Sequence, residues 1–312
     1  MTSVRIGTRG SKLALWQANA VAARLSEQAG AQSEIVIIRT SGDESSGPPD
    51  PPPAGANVKG LFVKEIEDAL LNGDIDLAVH SSKDLSASLP EGLALAVVLP
   101  REDARDAVLL PNVERVADVA SLTRRLGATP RFGTSSVRRV AQLKSLFPRA
   151  TFLPLRGNVD TRIRKLAGGE CDAAVLASAG LKRLGLDARI ALAIPIETCV
   201  PAPGQGIVAI EIREERADVA SLLQRINDDD AMDALVAERA VVSALGGSCQ
   251  MPLGAHARLV GTDLSIIGVV ISPDGLQLAR ADAQGPRTSA AAVGQELAQA
   301  LVRQGALKIL SG

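Results

Sequence analysis

The chain has no tyrosine, one tryptophan and four phenylalanines in 312 residues. So few rings argue against single-stranded nucleic acid as a ligand, since that mode of binding wants a row of stacking aromatics. Phe132, Phe147 and Phe152, the rings of its most basic stretch, fall where strand or helix core is expected. Cysteine is scarce too. Cys171, Cys199 and Cys249 are an odd number without a Cys-x-x-Cys pair, which argues against a disulfide framework or structural zinc and fits a reducing compartment. His80 and His256 are the only histidines and share no ligand spacing with the cysteines, so no metal site is expected. A Gly-x-x-x-x-Gly-Lys-Ser/Thr loop is missing, and Gly204-Gln-Gly206 lacks the third glycine of a dinucleotide fingerprint. Neither histidine lies near a plausible serine elbow. No apolar run is long enough to cross a membrane. Arg5, Arg9 and Lys12 before Leu13-Ala-Leu-Trp16 have the outline of an export signal, but Gln17 and Asn19 break the apolar stretch. The expectation is a cytoplasmic protein.

What is present is an ordinary globular composition, 46% hydrophobic and 22% charged, in a chain long enough for two or three domains. Residues 4–7 read as a strand, followed by a helix from Ser11 whose apolar face is Ala14, Ala18, Val21 and Leu25. Strands at 34–39, 76–79 and 93–99 enclose a helix at 61–71. A second series runs through strand 107–110, strand 131–133 and helix 136–147, strand 151–153 and helix 159–167, then strand 173–176 and a helix through Arg183. Such alternation predicts α/β domains with largely parallel sheets. Residues 41–59, with five prolines and three glycines, read as a surface loop, either a tolerated insertion or a lid. After Asp228-Asp229-Asp230 a helix runs through Ala244, two strands meet at Pro273-Asp274-Gly275, and a last helix spans 289–303. This reads as a smaller α+β domain.

The net charge of −1 is unevenly spread. Residues 131–189 hold nine arginines and three lysines against Asp160, Glu170, Asp172 and Asp187, a net of +8, so the remainder carries −9. A concentrated cationic surface on an acidic protein implies an anionic ligand. Thr8-Arg9-Gly10-Ser11 joins the first strand to the first helix, and Gly133-Thr134-Ser135-Ser136-Val137-Arg138-Arg139 does the same in the second series. Helix capping is the simpler account of either turn alone. Two such turns with arginine give an anion site equal weight. Arg156-Gly-Asn-Val-Asp-Thr-Arg162 repeats the theme. Lys83 and Asp84 follow the strand at 76–79, the strand end where open α/β sheets bind ligands. Cys249 follows Gly246-Gly247-Ser248 at the end of a helical pattern. It is either a small buried hydrophobe or a presented thiol.

In order, these motifs resemble the porphobilinogen deaminase (hydroxymethylbilane synthase) family. The resemblance runs through Thr8-Arg-Gly-Ser-Lys-Leu-Ala14, Lys59-Gly-Leu-Phe62-Val-Lys-Glu65, Val79-His-Ser-Ser-Lys-Asp84 and Gly133-Thr-Ser-Ser-Val-Arg-Arg139. It continues through Leu155-Arg-Gly-Asn158, Ala179-Gly-Leu-Lys-Arg-Leu-Gly185, Pro203-Gly-Gln-Gly206 and the Glu238-Arg239…Cys249 block. It implies two periplasmic-binding-protein-like α/β domains (1–99 with 207–224, and 105–200) plus a smaller α+β C-terminal domain (229–312). The implied activity joins four porphobilinogen molecules head to tail, with loss of ammonia, on a covalently bound dipyrromethane.

By the same resemblance Asp84 is catalytic and Cys249 holds the cofactor as a thioether. Lys83, Asp84, Thr134, Ser136, Arg138, Arg139, Arg156, Arg162 and Arg183 bind that cofactor. Arg9, Ser11, Phe62, Arg156 and Arg162 meet the substrate. The implied partners are porphobilinogen and the growing oligopyrrole, with no nucleic acid and no membrane, and the chain is expected to be a monomer. Two primer pyrroles and four added ones carry twelve carboxylates, which suits a cationic segment rich in arginine. Ser86, where the family usually has proline, Met251 in place of a β-branched residue, and the proline run at 48–53 are departures. The rivals are a hinged anion receptor without chemistry, which needs neither Asp84 nor Cys249, and a nucleic-acid binder using the basic segment.

Overall fold

A computed structural model describes residues 3–40, 63–246 and 251–311. The expected loop at 41–59, Phe62 and Cys249 lie outside those residues. The chain opens with β1 (Ser3–Thr8) and α1 (Lys12–Ala29), then β2 (Gln32–Ile37), α2 (Lys64–Leu71), β3 (Leu77–Ser81) and β4 (Leu93–Val98). It continues with β5 (Asp106–Leu109), α3 (Val119–Leu126), β6 (Arg131–Gly133), α4 (Val137–Leu146), β7 (Thr151–Leu153) and α5 (Val159–Ala167). Then come β8 (Ala173–Ala177), α6 (Ser178–Arg183), β9 (Leu192–Ala193), β10 (Val208–Arg213), α7 (Ala217–Leu223) and α8 (Asp229–Ala244). The C-terminal part adds β11 (Leu253–Val260), β12 (Asp263–Ile271), β13 (Leu278–Pro286), α9 (Ala290–Arg303) and α10 (Ala306–Ser311).

One compact unit takes the N-terminal residues through Arg101 and Ile207–Met232. Its five strands are ordered β2-β1-β3-β10-β4. β1 runs parallel to β2 and β3, while β10 is antiparallel to both β3 and β4. The sheet is therefore mixed, and more so than alternation predicted. β10 returns after a long excursion, so no βα crossover fixes its direction. Side-chain alternation splits the core: Leu77 and Val79 pack with Val21 and Leu25 of α1, whereas Ala78 packs with Ile66 and Leu70 of α2. Full burial of Val21 and Leu25 favours docking of α1 by ~1.5–3 kcal/mol each. Ser11 accepts from the backbone N–H of Ala14, the cap that starts α1. The expected apolar face is right at Ala18, Val21 and Leu25, but Gln17 is buried there too and Ala14 is only half-buried.

The second unit holds Glu102–Gly206 with Asp233–Gly246 and the C-terminal residues. Its five-stranded sheet is ordered β7-β6-β8-β5-β9, and again one strand in the fourth place, β5, opposes its neighbours. Phe132 meets Phe147 edge-on at 4.9 Å and stacks on Phe152 at 5.7 Å. Phe132 and Phe147 are core, as their positions suggested, and the half-buried Phe152 packs against them. The other sheet of this unit is an antiparallel meander, β11-β12-β13, one strand more than the turn at 273–275 revealed. Ala237 and Val241 of α8, Leu297 and Leu301 of α9 and Ile309 of α10 cover it. Asp228 accepts from the N–H of Ala231 at 2.7 Å, which caps α8 as its acids promised. α4 is tied to the meander through Ala141, Val200, Val269 and Ile271.

Candidate active site

In the first unit β1 and β3 are parallel neighbours, so their carboxyl ends share one edge of the sheet. The turn carrying Arg9 leaves β1 there, and β3 passes directly into a short 3-10 turn, Ser82–Asp84. A cavity of about 90 Å³ lies at this edge, lined among others by Arg9, Ser11, Gln17, His80, Ser81 and Asp84. Lys83 is half-buried on the same turn. Gln17 exchanges hydrogen bonds with Ser81: its Nε2 donates to the serine Oγ at 2.9 Å, and that hydroxyl faces Oε1 at 3.3 Å. The expected apolar face of Ala14, Ala18, Val21 and Leu25 leaves position 17 out, and so gives no hint of such a role for Gln17.

Beneath this cavity lies a cluster of acids that sequence reasoning missed. Ala209 pairs with His80 and Glu211 with Ala78, so His80 and Glu211 are diagonal neighbours on the α2 face of the sheet. The β10–β4 register shifts between Ile210 and Glu211, a bulge of the kind that re-aims a side chain. His80 Nε2 is 3.2 Å from Glu211 Oε2, with both side chains almost wholly buried. The contact has ion-pair distance but not the alignment of a hydrogen bond, and neither Glu211 oxygen has another partner. Glu67, on α2, is pushed up to about 7, first by burial and then by Glu211, with His80 opposing.

The second unit gathers its arginines around Asp106. This carboxylate is fully buried, and Arg138 grips it through Nη1 to Oδ2 at 2.7 Å and Nη2 to Oδ1 at 3.2 Å. Arg139 adds Nε to Oδ1 at 2.9 Å and Gln205 adds Nε2 to Oδ1 at 2.9 Å. Burial alone would raise the Asp106 carboxyl; Arg138 and Arg139 overcome it and hold the group far below the usual range. The Cys199 thiol beside it is fully buried in the core, and is pushed up to about 12, chiefly by that burial and then by Asp106. Arg138 Nη1 also donates to the Val200 carbonyl at 2.7 Å, and Arg139 Nη1 to that of Val175 at 3.0 Å. Two guanidinium groups on one carboxylate leave a buried positive charge in excess.

Thr134 and Ser136 serve as the capping turn of α4. Ser136 accepts from the N–H of Arg139, and Thr134 Oγ1 from the N–H of Ser136 at 3.3 Å. Arg156 is exposed on the turn after β7. Arg162 Nε donates to the Gly157 carbonyl at 2.8 Å, and Arg183 Nη2 to that of Gly206 at 2.6 Å. Burial brings the Arg183 guanidinium down to about 10, with Glu102 opposing. Glu238, quoted above only within a motif, accepts from the N–H of Gly204 at 2.6 Å and of Ala257 at 2.7 Å. It ties the Pro203–Gly206 turn to β11.

Comparison with known proteins gives one answer along the chain. Residues 4–221 match the family model described as porphobilinogen deaminase, dipyromethane cofactor binding domain, and residues 232–303 match the porphobilinogen deaminase C-terminal domain. The porphobilinogen deaminase of Chromobacterium violaceum is 44% identical over 312 residues, covering 100% of this chain and 98% of that one. The Syntrophomonas wolfei enzyme of the same name is 44% identical over 311 residues, covering 99% and 98%. Among solved structures, immunogenic lipoprotein A from Vibrio vulnificus matches with a TM-score of 0.44 at 14% identity, over 73% of this chain and 96% of that one.

Proposed function

Because the chain belongs to the porphobilinogen deaminase family, we propose how its residues divide the family's work. The enzyme is a transferase of tetrapyrrole and heme biosynthesis. It joins four porphobilinogen molecules head to tail, with loss of ammonia, into linear hydroxymethylbilane on a covalently bound dipyrromethane. We assign the chemistry to Asp84. The supporting observation is its place: a carboxylate on a cavity at the carboxyl edge of a sheet, with Arg9 and Ser11 on the same wall. Departure of ammonia leaves positive charge spread to the pyrrole nitrogen, and a fixed carboxylate facing that nitrogen stabilises the charge as it develops. Arg9 and Ser11 bind the acid side chains of the incoming unit, and Phe62 stacks on its ring.

The residues present suit a dipyrromethane. That group carries four carboxylates, and the buried excess of positive charge around Asp106 calls for an anion. Arg138, Arg139, Arg156, Arg162 and Arg183 bind its carboxylates, with Lys83 assisting and Thr134 and Ser136 adding hydroxyl and backbone donors. When bound, it supplies the primer pyrrole to which new units are joined. Cys249 anchors it as a thioether and is spent once, rather than acting in each cycle. Three separate sheets support domains at 1–99 with 207–224, 105–200 and 229–312. The chain works as a monomer in the cytoplasm.

Intact mass is the deciding measurement. Purified protein should be heavier than its sequence by one dipyrrole, and Cys249→Ala should match its sequence mass. An unmodified wild type, expressed with porphobilinogen available, would remove Cys249 from this role.

A further inference from the structure

Val200 is fully buried yet lies in no strand, so no ladder satisfies its backbone groups. One side chain serves both. Gln142, buried on α4 beyond the motif that ends at Arg139, donates through Nε2 to the Val200 carbonyl at 3.0 Å. Its Oε1 accepts the Val200 N–H at 2.8 Å. A primary amide holds a donor and an acceptor side by side, which no hydrocarbon chain of that length offers. Gln142 stands one helical turn after Arg138, and the two side chains share an acceptor: Arg138 Nη1 donates to the same Val200 oxygen at 2.7 Å. That nitrogen also donates to Asp106 Oδ2 at 2.7 Å, and Nη2 reaches Oδ1 at 3.2 Å. A guanidinium is planar, so these three contacts set its plane before any ligand arrives. Two of them depend on Asp106; the third depends on Val200, and hence on Gln142.

The segment that carries Val200 is tied on its other side as well. Ala255 of β11 donates to the Pro201 carbonyl at 3.0 Å, and Glu238 of α8 accepts the Gly204 N–H at 2.6 Å. β11 passes so close that a Cβ on Gly254 would stand 2.6 Å from the Val200 oxygen. In sequence, Cys249 falls between α8 and β11. Residues 200–204 are therefore bonded on one side to the helix of Arg138 and on the other to the two elements that flank Cys249. Pro201 and Pro203 stiffen the segment between these ties. We propose that Gln142 is a positioning residue for the dipyrrole: it fixes the Val200 carbonyl that orients Arg138, and it keeps α4 in register with the elements on either side of Cys249. The inference rests on the reading above, in which Arg138 binds a dipyrrole carboxylate. Gln142 acts through Arg138, so its loss is felt where a carboxylate has to find a guanidinium already in place.

The test is the rate at which the full chain, expressed without porphobilinogen and then supplied with it, gains the mass of a dipyrrole. Gln142→Met keeps the length of the side chain and loses both bonds; Gln142→Glu keeps the acceptor and sets an oxygen against the Val200 carbonyl. Each should load about tenfold more slowly than wild type, the worth of about one hydrogen bond to a charged group. In an Arg138→Lys background the Met exchange should change the rate by less than about twofold, the error of additivity. Loading of Gln142→Met at the wild-type rate overturns the proposal. An equal loss in both backgrounds does so too, since the residue would then serve the fold and not Arg138. A wild type that gains no dipyrrole overturns the reading of Arg138 as well. If the variants do not fold, or Arg138→Lys takes up no dipyrrole, the wild type decides by nuclear magnetic resonance. Carbonyl carbon-13 cysteine with nitrogen-15 valine selects the Val200 amide alone, because Cys199-Val200 is the only Cys-Val pair in the chain. That signal should shift as the dipyrrole is loaded, and its constancy overturns the coupling.

Discussion

Asp106 and Asp84 are carboxylates of opposite character, and substitution should separate them. Asp106 is enclosed by Arg138, Arg139 and Gln205, so Asp106→Ala leaves two buried guanidinium groups without a counter-charge. A loss of about 3–5 kcal/mol is expected in urea denaturation, together with poor loading of the dipyrrole by mass. A variant as stable as wild type would show that the arginines find another anion. Asp84 is half-buried and accessible to a cavity. Asp84→Asn should keep the fold and the dipyrrole mass while kcat falls by about 10²–10³; wild-type turnover would remove Asp84 from its role. Asp84 is legible in the sequence because it follows the end of an apolar strand, where ligands gather. Asp106 is not, since a lone acid at the head of an apolar strand looks like a surface residue until Arg138, some thirty positions on, folds over it.

Helices and strands carry the next set of consequences. Glu67 on α2 titrates at about 7 in the fold against 4.5 ordinarily. Between these values the folded state holds the extra proton, so stability is full below 4.5 and falls as pH rises through 7. Glu67→Gln should flatten that decline in thermal midpoints measured from pH 4.5 to 7; an unchanged slope would mean another group is responsible. In the meander, a Cβ on Gly254 would stand 2.6 Å from the Val200 carbonyl oxygen, the acceptor of Arg138. Gly254→Ala should therefore destabilise the protein by about 1–3 kcal/mol and lower dipyrrole loading, read by denaturation and mass. Helices α4 and α5 and their caps are legible from periodicity and from Ser136 and Asn158. The His80–Glu211 diagonal is not, because it depends on where β10 enters the sheet and on a bulge, and no local pattern encodes either.

At the scale of the whole molecule, charge is segregated: residues 131–189 carry a net of +8 on a chain of net −1. If that surface holds a carboxylate-rich chain, KM for porphobilinogen should rise severalfold between roughly 0.05 and 0.5 M salt, as screening shortens from over 10 Å to a few ångströms. A flat response would place the binding energy elsewhere. The insertion of β10 between β3 and β4 has a consequence for how the protein is made. A ribosome releases β1 to β4 well before it has synthesised β10, yet β10 is one of the inner strands of that first sheet. Until residue 213 emerges, β3 and β4 offer unpaired edges to one another and to neighbouring polypeptides. Residues 102–206 meanwhile contain every strand of their own five-stranded sheet. The order of maturation should invert the order of synthesis, with the middle of the nascent chain structured while its beginning waits, and chaperone occupancy should be highest over the first hundred residues.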